Sequence, residues 1–290
     1  MPALAGPTAR RRRLGIELRR LREACGLKLE EVAGQLDLAG STLSRIETGK
    51  ALCKTPYLTA MLDMYGVTDT QQRQLLKDMA REGQRKGWWA GYDDVLPTGF
   101  GIYVGLEAEA ASLRAYEAQL VHGLLQTRDY ARAVLRARQR KATAEQIGRL
   151  AELRMKRQEV LTRPDDPLEL WVILDEAVLR RPIGGPKVMR AQLGRLIEAT
   201  EMANLTLQVL PFSHGAHAGL AGPFYILEFP GDARGATDPG VAYVECAAGN
   251  IYLEKDHDVR RWAQAFDQLR AEAMSPGESR ELIATISTEI

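Results

Sequence analysis

The sequence is short of the residues that carry most enzyme chemistry. Its 290 residues include four His and three Cys. Cys25, Cys53 and Cys246 are odd in number, far apart and without CxxC spacing. This excludes a disulfide framework, suits a reducing compartment and leads us to expect a cytoplasmic protein. No apolar run approaches the roughly 18 residues of a membrane span. The basic amino-terminal run has no apolar stretch behind it, so neither a leader nor membrane association is expected. GxSxG, GxxxxGK[ST], HExxH and a strand-following GxGxxG are all missing. Gly99, Gly101 and Gly105 are spaced too irregularly to cradle phosphate. No enzyme is expected, and no cofactor or metal.

Charge of one sign is also lacking overall, since the net charge is +1. The distribution is uneven, however. Residues 1–87 carry 16 Lys and Arg against 10 Asp and Glu; residues 88–290 carry 23 against 28. A basic end on an acidic body suits a protein that touches a polyanion with one end. The excess is modest and implies a small footprint per chain, so tight specific binding would need two copies.

The stretch from Lys28 to Lys50, KLEEVAGQLDLAGSTLSRIETGK, is the most informative. Leu29, Val32, Ala33 and Leu36 have the spacing of one helix face, and Leu43 and Ile46 mark a second, shorter helix. Leu38, Ala39 and Gly40 leave room only for a tight turn. Thr48 and Gly49 close the second helix, with Gly suited to a left-handed cap. Two short helices so joined make a helix-turn-helix. Gly40, Ser41, Ser44 and Arg45, with Thr42 beside them, face away from the apolar pair. From spacing alone this face is either solvated or a reader of base edges, with Arg the usual partner of guanine. Lys50 and Lys54 follow where a phosphate would lie.

LEEVA followed by LSRIETGK resembles the Cro/C1-type helix-turn-helix of the xenobiotic-response-element family, found in phage repressors and their bacterial relatives. The resemblance covers about residues 11–66. It implies a DNA-binding transcriptional regulator in which Ala33 sits where the two helices touch, Leu43 and Ile46 plug the core, and Glu47 is the acidic residue before the helix-closing Gly. It also implies that Gly40, Ser41, Ser44 and Arg45 take base-facing positions. Lys28 departs from the pattern, because Lys cannot accept the N–H bonds that a Ser or Thr cap would take. That start is expected to fray or to be capped from elsewhere.

Residues 1–10 have little to bury and read as a disordered arm. Arg10, Arg11, Arg12 and Arg13 read as either a solubilising arm or one that lies along phosphates or the minor groove. A first helix follows with Leu14, Leu18, Leu21 and Ala24 on one face. Thr55 and Pro56 open a fourth helix with Thr55 as cap. Residues 69–83 give a fifth, with Leu75, Leu76 and Met79 apolar. Residues 11–83 thus form an all-α five-helix repressor-type domain. Residues 84–104 lose periodicity and gather aromatics. They read as a junction packed on the second domain, with a stacking platform as the sharper alternative.

Residues 105–290 predict a mixed α+β domain. Strands are expected at LELWVIL, LTLQVLP, FYILEF, VAYVE and NIYLE. Helices are expected after Thr127, over 143–162, from Pro186, through Val259 to Leu269, and after Ser275, where Glu278 completes a capping box. GLEAEA, QLVHGLLQTRDYARAVL, LDEAVLRRPIGG, VLPF…GAHAG and GPFYILEF resemble a carboxy-terminal domain often fused to this helix-turn-helix in high-GC Gram-positive bacteria. That resemblance implies developmental or secondary-metabolism control, often beside genes for small acidic partner proteins.

Within this domain, His214 and His217 with Glu228 or Glu245 are candidate metal ligands, weakened by their position in a loop. Asp175 and Glu176 are an acid–base pair, a helix start, or ion-pair partners of Arg180 and Arg181. The thiols of Cys25 and Cys53 either pack or switch DNA binding. The reading that emerges is a homodimer with the recognition helix, about residues 40–48, in the major groove of double-stranded DNA. The second domain either senses a small-molecule effector or docks a small acidic protein. No cluster of convergent polar residues marks a pocket, which tilts the balance to docking.

Overall fold

The computed structural model describes residues 9–84, 87–230, 240–246 and 249–290, and the side chains of Ala9, Arg10 and Glu82 lie outside that description. The arm expected at residues 1–8 falls outside it too. The described chain divides into two compact units. The first holds the residues up to Gly91 and Thr98–Glu109; the second holds Tyr92–Pro97, Ala110–Pro230 and the remainder to Ile290.

The first unit contains α1 (Ala9–Ala24), α2 (Leu29–Gln35), α3 (Gly40–Glu47), α4 (Thr55–Met64), α5 (Thr70–Glu82) and α6 (Phe100–Glu109). Leu14, Leu18, Val32, Leu43, Ile46, Leu58, Met61, Leu62 and Leu76 close its core. The expected frame of five helices is present, with local differences. The cap of α4 is Lys54, and Thr55 is already helical, with Pro56 in the first turn. Leu75 is 47% exposed, because α5 turns Leu76 and Ala80 inward instead. The start of α2 is held from within: the Lys28 N–H donates to the Glu31 carboxylate at 2.8 Å.

The aromatic junction is more regular than its sequence. Phe100 to Glu109 is helical across the boundary expected at residue 104. Gly105 lets an indole approach closely, since a Cβ there would lie 2.8 Å from the Trp89 ring. Tyr103, Val104, Leu106 and Glu107 are all buried. A helix covered on every side has no polar face, so it shows no helical period.

The second unit is a six-stranded sheet in the order β3-β2-β1-β4-β5-β6. Its strands are β1 (Ser112–Glu117), β2 (Glu169–Asp175), β3 (Leu205–Leu210), β4 (Phe224–Glu228), β5 (Val241–Cys246) and β6 (Gly249–Leu253). β1, β2 and β3 run parallel; β4, β5 and β6 pair antiparallel. Parallel neighbours need long crossovers. These are α7 (Arg128–Arg138) with α8 (Ala144–Arg157), and α9 (Glu176–Arg180) with α10 (Pro186–Ala199). One sheet face packs Tyr116, Ile173, Leu210, Phe224 and Ile226 against Val259, Phe266 and Leu269 of α11 (Asp256–Glu272). The last helix, α12 (Pro276–Glu289), sets Ser279 against the outer edge of β3, where its hydroxyl accepts from the Val209 N–H at 2.9 Å. An otherwise open strand edge is thereby capped.

Candidate nucleic-acid interface

α2 ends at Gln35, and the turn occupies residues 36–39, so Gly40 is the first residue of α3 and not part of the turn. Asp37 takes the left-handed conformation, φ +53°, that short polar side chains tolerate best after glycine. The Leu38 N–H then returns to the Ala33 carbonyl at 2.9 Å. Ala33 is fully buried at this corner, a place for a small side chain.

α3 is divided sharply. Leu43 and Ile46 are buried, while Ser41 and Arg45 are exposed and Gly40, Thr42 and Ser44 are half-buried. Ala39, at the cap, offers no side-chain acceptor, so the first N–H groups of α3 stay available to an anion. Gly49 closes the helix with φ +68°, and exposed Lys50 follows. Lys54 is exposed at the start of α4. Among the described residues, Arg45, Lys50 and Lys54 have no carboxylate partner.

The concealed face of α3 is clamped by α1. A Cβ on Gly15 would lie 2.4 Å from the Glu47 carbonyl oxygen, and one on Gly49 would lie 2.7 Å from the Arg12 Cα. The two backbones therefore meet almost directly. Arg22 grips Glu47 with two bonds, Nε to Oε1 at 2.7 Å and Nη2 to Oε2 at 3.0 Å, and its Nη1 reaches the Leu27 carbonyl at 2.8 Å. Both side chains are buried. The hydrogen bond to Glu47 raises the guanidinium pKa further, against the cost of burial. Sequence reasoning named Glu47 only by resemblance and missed Arg22 and Gly15. A basic residue one face-length along the first helix from Gly15 was the available signal.

The basic run needs correction. Arg11 to Arg13 belong to the first turns of α1 and do not form an arm. Arg12 is 2% exposed, with its backbone under Gly49, and cannot reach a phosphate from there. Arg11 is half-buried, and burial lowers its pKa against the field of Glu109. Arg13 is half-buried, and the side chain of Arg10 is outside the described residues. The thiols differ. Cys53 is buried and its pKa is pushed up to about 12 by that burial, whereas Cys25 is exposed with its Sγ 3.3 Å from the Tyr65 carbonyl.

Residues 13–76 match a family described as a helix-turn-helix domain, and residues 100–285 match one described as a domain of unknown function, DUF5753. The chain belongs to the DUF5753 family. No curated protein and no solved structure matches it. The helix-turn-helix match makes DNA the partner of the first unit, and the DUF5753 match starts with α6.

The DUF5753 domain separates His214, Glu228 and Glu245 but brings His217 within 3.8 Å of Asp175. Asp175 caps α9, accepting from the Ala177 N–H at 2.8 Å. Glu176 accepts from Arg180 at 2.6 Å and from the Phe212 N–H at 2.9 Å. Asp175 thus starts the helix and Glu176 pairs with Arg180; among the described residues neither is shown paired with Arg181. His214 faces Glu272 at 3.3 Å, and His217 lies 3.8 Å from Asp175 while capping Gly219. Glu228 takes Ser112 and Arg114, and Glu245 takes Arg138. Among the described residues no three His, Cys, Asp or Glu side chains converge as metal ligands, and no helix is long and apolar enough to cross a membrane.

Proposed function

We propose that the protein is a sequence-specific transcriptional regulator of the Cro/C1 type that works in the cytoplasm as a homodimer. α3 enters the major groove, with Arg45 on a base edge and Ser41, Thr42 and Ser44 close to the bases. Lys50 and Lys54 meet phosphate. The DNA-binding part is taken as residues 11–83. The DUF5753 domain carries a regulatory input and no chemistry. One observation supports this reading most: α3 is locked on one side by α1 and offers unpaired donors on the other. The small positive excess of the first unit supports two copies per operator.

Genome-wide footprinting of the full chain tests this. The expected result is protected sites with two-fold symmetry and half-sites about one helical turn apart, roughly 10 base pairs. Single asymmetric sites would remove the dimer; no protection at low salt would remove the function. A second reading, docking of a small acidic protein, draws on Phe212 and Leu220, which are 57% and 70% exposed in the β3–β4 connection. Co-purification with the product of the neighbouring gene tests it.

A further inference from the structure

Positive charge is not spread evenly over the second half of the chain. Residues 88–290 carry 23 Lys and Arg against 28 Asp and Glu. Six of those bases and a single acid, Asp129, fall within residues 128–141. That leaves 17 bases against 27 acids for the rest. A strongly basic segment thus stands on an acidic body.

α7 turns this charge outward. Its buried side holds Tyr130, Ala131, Val134 and Leu135. Arg128, Arg132 and Arg136 follow at four-residue steps and so share a different face of the helix. Arg128 and Arg136 are exposed and Arg132 is half-buried; Arg140 and Lys141, in the turn to α8, are exposed too. Asp129 comes no nearer to Arg132 than 4.0 Å. Among the described residues, Arg128, Arg136, Arg140 and Lys141 meet no carboxylate. Arg138, which lies off this face, is by contrast paired with Glu245.

The stripe does not help α7 to fold. Like charges at four-residue spacing repel along a helix. Arg128 also stands at the first position of α7, where the helix dipole disfavours a cation. A Glu at the middle position would have turned that repulsion into ion pairs. What holds α7 is its buried face and the Thr127 cap, whose hydroxyl accepts from the Tyr130 N–H at 3.4 Å.

We infer that the outer face of α7, with the turn to α8, is a second contact surface for duplex DNA, one that holds phosphates and reads no bases. Arg128 to Arg136 span about 12 Å of helix. A stretch of duplex that long carries about seven phosphates on its two strands. Guanidinium forks match phosphate oxygens. A protein partner would need more than charge, because protein interfaces centre on buried aromatic or large apolar side chains. α7 exposes none: Phe212, Leu220 and Ile251, the exposed large apolar residues of the second unit, lie on other elements. A phosphate backbone is gripped by charge alone. The inference rests on the reading of the chain as a DNA-binding regulator and adds the DUF5753 domain to its contacts.

Anisotropy titrations of the full chain with a random-sequence duplex, over a series of salt concentrations, test it. Arg128→Gln with Arg132→Gln and Arg136→Gln should weaken binding at least tenfold at low salt. The slope of log affinity against log salt should flatten by about two to three. Arg140→Gln with Lys141→Gln should flatten it by about one to two. None of these side chains is buried, so thermal melts of the variants should match the parent's. A second variant, Arg45→Ala with Lys50→Ala and Lys54→Ala, should still bind the random duplex, and adding the three α7 substitutions should remove that remaining affinity. Unchanged affinity and slope in the α7 variant would overturn the proposal and leave the reading of α3 standing. Loss in the α7 variant with none in the α3 variant would leave the proposal standing and overturn that reading. Titration with polyglutamate separates DNA from an acidic protein. An α7 variant that loses polyglutamate but keeps the duplex would make the stripe a protein-docking face and overturn the proposal.

Discussion

The two units bury arginine in opposite ways. In the first, Arg45 stands on an exposed helix face without a carboxylate, while the buried guanidinium of Arg22 has Nε and Nη2 matched by the two oxygens of Glu47. In the second, Arg154 and Arg157 are drawn under a sheet, and Arg154 meets a neutral amide. Exposed cations beside a locked helix serve a partner that brings its own phosphates. The contrast lies in how charge is compensated, not in how much of it there is.

Breaking the matched pair is the harshest test of that contrast. Glu47→Ala removes the buried carboxylate from Arg22, leaving it the Leu27 carbonyl and the exposed Glu23, and should cost about 3–5 kcal/mol of first-unit stability in urea unfolding. Replacing both partners, as Arg22→Met with Glu47→Leu, should recover most of it. If the single variant cost nothing, the clamp on α3 would not be electrostatic.

The second unit should respond in the other direction. In the unfolded chain Glu117 loses its proton near 4.5; in the folded chain it holds it to about 8. Its contribution to stability is therefore full below about pH 4.5 and declines as pH rises to about 8. Glu117→Gln should escape that decline and be more stable than the parent at pH 9, by up to about 4 kcal/mol. Thermal melts of both proteins at pH 4 and pH 9 decide it, and a variant less stable at pH 9 would contradict the burial of a protonated Glu117.

Smaller effects sharpen the first unit. Gly15→Ala sets a methyl 2.4 Å from the Glu47 carbonyl oxygen, which α1 and α3 must move apart to admit. A loss of about 1–3 kcal/mol in chemical unfolding is expected, with weaker operator binding in a mobility-shift titration. Lys50→Ala should leave folding unchanged and weaken all duplexes alike, flattening the slope of log affinity against log salt by about one. A sequence-dependent loss would move Lys50 from phosphate to base.

What could be read in the sequence follows from how local each signal was. Leu29, Val32, Ala33, Leu36, Leu43 and Ile46 lie within eighteen positions and set the helix-turn-helix by spacing alone. β2 to β6 stood out as short apolar runs, whereas β1, with Arg114 and Glu117 among its six residues, did not; Thr127 and Ser275 cap helices as their neighbours indicated. α6 was hidden because it is covered on all sides. The five residues of α9 are too few to show a period. Arg12 was misread because a run of four like charges looks solvated, although a helix must turn one of them inward. The cluster of Arg138, Arg154 and Arg157 with Glu117 and the tyrosines of β4, β5 and β6 was not legible at all. Its members run from Glu117 to Tyr252 on β1, α7, α8, β4, β5 and β6, and only the packing of α7 and α8 near the sheet brings them together.

The central claim is that α3 reads sequence through Arg45. Arg45→Ala, titrated against a footprinted operator and a random duplex of equal length at one salt concentration, tests it most directly. The variant should lose about 1–3 kcal/mol on the operator and little on the random duplex. Equal loss on both would make Arg45 a phosphate contact and contradict the account.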